Sequence, residues 1–514
     1  MAFDPPESFN LADYFLDERV REGRGGRTAL VCGDRRFNYR EVQTLANRFG
    51  HVLRRLGVEP EQRVVVALPD GPACVGALFG VFKIGAVAVM MNPQLKAEEV
   101  GAVLEYTRAA VAVVAASSLE AFAAARARAR RLKHLLVVDG HAGRHASFDE
   151  MSSRVPDILE NEPTHRDDPA LWLFSGGTTG RPKAVVQTHL SYANTTELYA
   201  KGTMGYRESD VILSVPKLFF GYATGANLFF PFSVGATSVL FPEHPTAELL
   251  FEKIHRHRPT ILVNVPTMVN QMLADPSALE RDLTCLRFAI SAGEALPAEL
   301  YHRWRRTFGV ELLDGLGTAE MWHNFITNRP GDVKAGTLGR VVGGFEVKVA
   351  DDEGRELPTG EVGALWVKGR SRAIGYWQQM EKTAAAFRGE WYVTGDLVAR
   401  DAEGYFTYCG RADEMLKVGG KWVAPQEVES CLLEHPAVQE CAVVGAPDAS
   451  GLVKPKAYVV AKNPPGATPG LDEELKTFVR EHLDPNKSPR EVVFVEALPR
   501  THLGKVDRGT LRKG

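Results

Sequence analysis

Short apolar runs alternate with helix-patterned stretches along most of this chain, and that alternation restricts its fold more than any other feature. "RVVVAL" (63–68) leads into a helical stretch over 73–85 and then into "AVAVMM" (86–91). "AAVAVVAA" (109–116), an Ala/Arg-rich helix near 118–132 and "HLLVVD" (134–139) repeat the order. It resumes in "DVILSVP" (210–216), "GATSVLFP" (235–242), "PTILVNVP" (259–266), "LRFAISAG" (286–293) and "VELLDGLG" (310–317). Strands apolar on both faces, interleaved with helices, predict α/β layers with largely parallel sheets. From about residue 335 the sequence becomes short-patterned, alternating and turn-rich, a β-subdomain with a hairpin around Asp352-Glu353-Gly354. After "GRADE" (410–414) a small α+β unit follows, with "NPPGATPG" (463–470) as a loop inside it. The expectation is a large N-terminal domain, 1–410, of two layered αβ subdomains plus the β-subdomain, and a small C-terminal domain, 411–514.

A chain of 514 residues exceeds one ordinary core, so at least two domains are expected. A net charge of -3 gives no general reason to bind nucleic acid or an anionic membrane. The stretch "AAARARARRLK" reads as a solvated helix face, because alanine dilutes its charge and no aromatic residue is interleaved. The N-terminus lacks the pattern of a signal peptide, and the apolar run ending at Pro93 is broken by Lys83. Six cysteines without a CxxC pair read as reduced, buried thiols. Together these features predict a cytoplasmic protein with neither a zinc site nor a disulfide framework.

The stretch Ser175-Gly176-Gly177-Thr178-Thr179-Gly180-Arg181-Pro182-Lys183 carries three glycines, three hydroxyls and a lysine. Such a loop brings backbone N–H groups close to an anion. It is not a Walker loop: Arg181 and Pro182 separate Gly180 from Lys183, and Ala184 follows the lysine where that motif needs a hydroxyl.

Further unusual stretches follow in order: "SAGEALP" (291–297), "DGLGTAE" (314–320), "WYVTGD" (391–396), which places an acid after a strand, "GRADEMLKVGGKWVAPQEVE" (410–429) and "PRTHLGKVDR" (499–508). Their order and spacing resemble the acyl-adenylate-forming superfamily of acyl- and aryl-CoA ligases, adenylation domains and beetle luciferases, over essentially the whole chain. The resemblance implies ATP, Mg²⁺ and CoA. A carboxylate is a poor acylating agent, and bringing it to a triphosphate needs donors and positive charge aimed at phosphate. By resemblance, Ser175, Gly176, Thr178, Thr179, Gly180 and Lys183 take the β/γ-phosphates. Glu320 ligates Mg²⁺; Gly293, Glu294, Asp314, Gly315 and Thr318 line the nucleotide site. Asp396 takes the ribose hydroxyls with help from Arg411. Lys505 enters from a mobile C-terminal domain to contact the carboxylate and α-phosphate, and Asp413 is the hinge. Gly419 and Gly420 in "KVGGK" let a pantetheine arm pass. One position departs from the pattern: Ala319 stands where relatives usually carry threonine, and Thr318 is expected to substitute.

"PKLFFGYATGANLFFPFSVGATSV" (216–239) and "DGLGTAEMWHNFITN" (314–328) resemble the benzoate–CoA ligase branch. Phe220, Gly221, Tyr222, Gly293 and Leu316 would make a flat apolar slot, and His323 would hydrogen-bond or close it. Asn324 either faces the ring, favouring a 2-amino or hydroxy substituent, or points elsewhere. The partners expected are a small aromatic acid, ATP and CoA, the protein being a monomer or homodimer. The alternative acceptor is the phosphopantetheine of a separate carrier protein.

Overall fold

The computed structural model describes residues 3–175, 183–418, 421–447, 452–462, 470–500 and 506–512, with the backbone alone at 421 and 422. Among them two large sheets dominate. The first has nine strands, with Leu312–Gly317, Phe288–Ser291, Ile261–Asn264, Val211–Ser214, Thr237–Leu240 and Thr28–Cys32 parallel in that spatial order. The second has eight, with Pro169–Ser175, Val87–Met90, Arg63–Ala67, Val111–Ala115, His134–Val138 and Ala146–Ser147 parallel. Antiparallel strands close the edges that matter for the site: Lys183–Thr188 and Gly375–Tyr376 on the second sheet, Asn324–Thr327 on the first.

The unbroken apolar strands are explained by what covers them. Val64 and Val66 belong to a core shared between the two sheets, with Phe79, Phe82, Tyr192 and Phe229. Val65 and Ala67 point the other way, into a core with Val100, Leu104 and Phe122. Leu213 and Leu262 likewise face an outer core with Leu250, Met272 and Trp304, while Ile212 and Ile261 face the shared one. Period-two side chains thus fill two apolar layers from one strand.

The Ala/Arg helix is shorter than its propensity predicts: Leu119–Ala125, then a single 3₁₀ turn, Arg126–Arg128. Ala129 and Leu132 are buried, and the Lys133 amide bonds the Ala110 carbonyl as the next strand begins. Docking that strand beside Val111–Ala115 overrides the local helix preference.

The β-subdomain is a five-stranded sheet including Glu346–Ala350, Val362–Lys368, Trp391–Arg400 and Phe406–Arg411. The expected turn is present, the Gly354 amide donating to the Asp351 carbonyl. The small unit packs helices Pro425–Glu434 and Leu471–His482 on strands Val438–Pro447, Val453–Ala461 and Glu491–Phe494. Its expected loop over 463–469 lies outside the described residues. All six cysteines are free; Cys74 and Cys431 are buried and the other four are partly exposed. Among the described residues no helix is long and apolar enough to cross a membrane.

Candidate active site

The site gathers where strands of both sheets end, as expected for an open α/β sheet. Strands Pro169–Ser175 and Lys183–Thr188 form a hairpin whose last pair is Ser175 opposite Lys183. The loop between them, with Gly176, Thr178, Thr179 and Gly180, lies outside the described residues, as do Gly419, Gly420 and Lys505. The Ser175 hydroxyl is buried without a hydrogen-bond partner among the described residues. Burial lowers the Lys183 amine from its ordinary range, with Glu320 acting against that shift. Its Nζ stands 4.4 Å above the ring of Tyr376.

Glu320 lies in the one-turn segment Ala319–Met321 that follows strand Leu312–Gly317. Its backbone is held by the second sheet: Gln187 Nε2 donates to the Ala319 carbonyl at 2.6 Å and the Ala373 amide to the Glu320 carbonyl at 2.7 Å. The Tyr376 hydroxyl donates to Glu320 Oε1 at 2.8 Å, and the glutamate is 4% exposed. Thr318 Oγ1 caps the turn, accepting from the Met321 amide at 3.2 Å. The turn ends at Trp322 with φ 64°, a conformation rare for a large residue and held here by burial against Tyr192, Phe229 and Phe230.

A buried carboxylate with one oxygen taken by a phenol suits Mg²⁺, which prefers one or two carboxylates plus phosphate oxygens. Gly293 has φ +90° and open space where a Cβ would project. Glu294 is engaged locally: its Oε2 accepts from the Thr267 amide and hydroxyl at 3.1 and 2.7 Å. Burial pushes the Asp314 carboxyl well above the usual range, with the Gly315 amide and the Ser291 hydroxyl acting against that shift. Gly315 leaves room for the Asn324 amide, which a Cβ would meet at 2.6 Å.

Asp396 corrects an expectation: it lies within strand Trp391–Arg400 rather than after it. Val393 faces Trp366 and Leu397 faces Ala364, so the strand bulges between them, and Gly395 takes φ +78° to do so. The bulge sets Asp396 directly opposite Arg411 on the next strand. Arg411 reaches Asp396 Oδ1 at 3.3 Å and Asp413 Oδ1 at 3.3 Å. Burial disfavours the Arg411 charge, but Asp396 and Asp413 more than offset it. The chain then turns at Ala412–Glu414, beside Asp413, and enters the small unit.

Of the expected pocket residues, Tyr222 packs directly on His323. The His323 ring lies 5.0 Å from Tyr199, 5.3 Å from Tyr222 and 4.7 Å from Phe230, centroid to centroid. Phe220 lies tilted against Phe219 with centroids 4.3 Å apart, Gly221 closes on Leu173, and Leu316 pairs with Ile326 at the strand end. His323 Nε2 donates to the Tyr222 carbonyl at 3.2 Å; a carbonyl only accepts, so Nδ1 carries the lone pair. Nδ1 is buried without a partner among the described residues, and burial depresses the imidazole to about 3. Asn324 turns to the Tyr199 hydroxyl at 3.4 Å and packs on Gly315. Sequence reasoning missed Tyr376, Gln187 and Tyr199; no local motif marks them, because their role arises from strand register.

Residues 16–377 match the family described as AMP-binding enzyme, and residues 427–505 match the AMP-binding enzyme C-terminal domain. The chain is 42% identical over 509 residues to a benzoate–CoA ligase of Thauera aromatica, covering 99% of this chain and 96% of that protein. It is 39% identical over 511 residues to a 4-hydroxybenzoate–CoA/benzoate–CoA ligase of Rhodopseudomonas palustris, covering 99% and 95%. The solved structure of the anthranilate CoA ligase AuaEII in complex with anthranoyl-AMP matches with a TM-score of 0.95 at 40% identity, over 99% of this chain and 98% of that one. A benzoate CoA ligase from Burkholderia xenovorans LB400 matches with a TM-score of 0.90 at 40% identity, over 98% and 100%. With its motifs, its fold and these relatives in agreement, the chain belongs to the AMP-binding enzyme family, in the benzoate–CoA ligase branch of the acyl-adenylate-forming superfamily.

Proposed function

We propose that this protein is an AMP-forming aryl–CoA ligase acting on a benzoate-type acid. In the first half-reaction a carboxylate oxygen attacks the α-phosphorus of ATP, the bond to pyrophosphate breaks, and an aroyl-AMP forms. In the second, the CoA sulfur, having lost its proton, attacks the aroyl carbonyl and AMP leaves. Lys183 and the hairpin loop it closes hold the β/γ-phosphates, and the Thr318 O–H stands in for the hydroxyl absent at Ala319. Glu320 holds Mg²⁺, which when bound spreads phosphate charge. Asp396, steadied by Arg411, takes the ribose hydroxyls, with Gly293, Glu294, Asp314 and Gly315 along the nucleotide. Lys505 serves the first half-reaction. What supports a role for the small unit at the nucleotide site is Arg500, which pairs antiparallel with Val506 and reaches Thr267 Oγ1 at 3.5 Å, Thr267 in turn holding Glu294. The second half-reaction follows rotation about Asp413, bringing Gly419 and Gly420 to the acyl-AMP.

The observation that carries the substrate class is the aromatic cage around a neutral, buried His323. Phe220, Tyr222 and Leu316 give a flat ring apolar contact, and Nδ1 gives a ring amino or hydroxyl group an acceptor. A substituted benzoate such as 2-aminobenzoate therefore fits at least as well as benzoate. The test is mass-spectrometric detection of aroyl-CoA from ATP, Mg²⁺ and CoA with benzoate, 2-aminobenzoate, the three hydroxybenzoates, a cinnamate and a medium-chain fatty acid. Thioester from a benzoate supports the reading. Aroyl-AMP without thioester transfers the acceptor role to a carrier protein, and product from the fatty acid alone refutes the aryl pocket.

A further inference from the structure

Lys183 and Glu320 carry opposite charges close enough to influence each other, yet they do not form an ion pair. Tyr376 is what lies between them. The two-residue strand Gly375–Tyr376 pairs antiparallel with Val185–Val186, with Tyr376 opposite Val185. Lys183 is two residues from Val185 and shares its face, so the lysine stands diagonally across from the tyrosine, within reach of an aromatic ring. The amine accordingly sits 4.4 Å above the ring centroid, while the hydroxyl at the ring's edge donates to Glu320 Oε1 at 2.8 Å. Tyr392 supports the same phenol oxygen, and Phe387 packs on the ring at 5.5 Å.

An unshielded lysine–glutamate pair at this depth would close on itself, and a metal–nucleotide complex would have to break it before binding. We propose that Tyr376 is the positioning residue that prevents this closure. Its face holds the Lys183 amine for phosphate, and its hydroxyl takes one Glu320 oxygen so that the other stays open to a divalent cation. The role rests on the reading of Glu320 as the metal ligand and Lys183 as a phosphate contact.

Tyr376→Phe keeps the ring and its packing and removes only the hydroxyl; Tyr376→Leu removes both. The probe is Mn²⁺, titrated by electron paramagnetic resonance into the full chain with a non-hydrolysable α,β-methylene ATP, alongside nucleotide affinity in metal-free buffer. Loss of one hydrogen bond to a charged group predicts about a tenfold rise in half-saturating Mn²⁺ for Tyr376→Phe, with nucleotide affinity nearly unchanged. Tyr376→Leu adds a loss of nucleotide affinity of about three- to tenfold. Wild-type Mn²⁺ affinity in Tyr376→Phe, or equal losses for metal and nucleotide, overturns the proposal. Glu320→Gln separates the two layers: if it weakens Mn²⁺ binding and Tyr376→Phe does not, the metal-ligand reading stands and the positioning role falls. If Glu320→Gln leaves Mn²⁺ affinity intact, the metal-ligand reading itself fails.

Discussion

Replacing Asp396 by asparagine tests the ribose assignment without changing side-chain shape. Asp396 is 5% exposed, and its Oδ1 makes long contacts, 3.3 Å to Arg411 and 3.4 Å to the Tyr408 hydroxyl. A carboxylate has several lone-pair sites and can accept from a diol as well as from a protein donor. A hydrogen bond to a charged group contributes about 1.5–3 kcal/mol, or roughly 10- to 150-fold in affinity. The assay is ATP–pyrophosphate exchange with ATP and with 2′-deoxy-ATP, in the wild type and in Asp396→Asn. Wild-type enzyme should discriminate against 2′-deoxy-ATP by about tenfold or more in KM. The variant should bind ATP that much more weakly and lose most of the discrimination, because the same bond is missing in both comparisons. A variant that still prefers ATP by the wild-type ratio would refute the contact, even if its overall activity fell.

The His323 imidazole, depressed by burial to about 3 from 6.5, is neutral in the folded chain across ordinary assay conditions. The unfolded chain takes up that proton below about 6.5, so this group lowers stability as pH falls from there towards 3 and has no effect above. His323→Phe should flatten that acid limb by about 1.4 kcal/mol at pH ~5.5, read from urea midpoints of wild type and variant. Asn324→Ile should shift the ratio of benzoate to 2-aminobenzoate activity less than about twofold, since the amide faces Tyr199, whereas an energy of about 1 kcal/mol or more at the ring would show as a larger change. Gly225→Ala would put a Cβ 2.7 Å from the His323 ring and 3.1 Å from Phe230; overpacking of about 1–3 kcal/mol should weaken ring-substituted acids first, measured as KM. Arg508→Met strands the buried Glu429 carboxylate, now held at 2.6 and 2.8 Å, and should cost the small unit about 3 kcal/mol, with Glu429→Gln restoring part of the lost melting temperature.

The layered α/β plan was legible because strands buried on both faces must be apolar throughout, and no polar residue interrupts runs such as Val64-Val65-Val66. The motif residues Lys183, Glu320, Asp396 and Arg411 were legible because their neighbours form fixed patterns. Tyr376 was not, since it meets Glu320 across 56 positions through a register that no local pattern encodes. Asn324 illustrates a different limit. Its position beside His323 left open whether it faces the ring or points elsewhere, and only the packing shows its amide donating to the Tyr199 hydroxyl at 3.4 Å. The Asp396 strand misled because a bulge adds residues without a change in composition.

Because Asp396 and Arg411 form one rung of a ladder whose next residues are the turn into the small unit, residue 411 belongs to the sheet of the β-subdomain. Anyone exchanging C-terminal modules between such ligases should make the seam beyond Glu414. A splice at 410 would set a foreign residue at 411 opposite Asp396 and unseat the rung. A splice after the turn would keep the rung intact and transplant only the small unit.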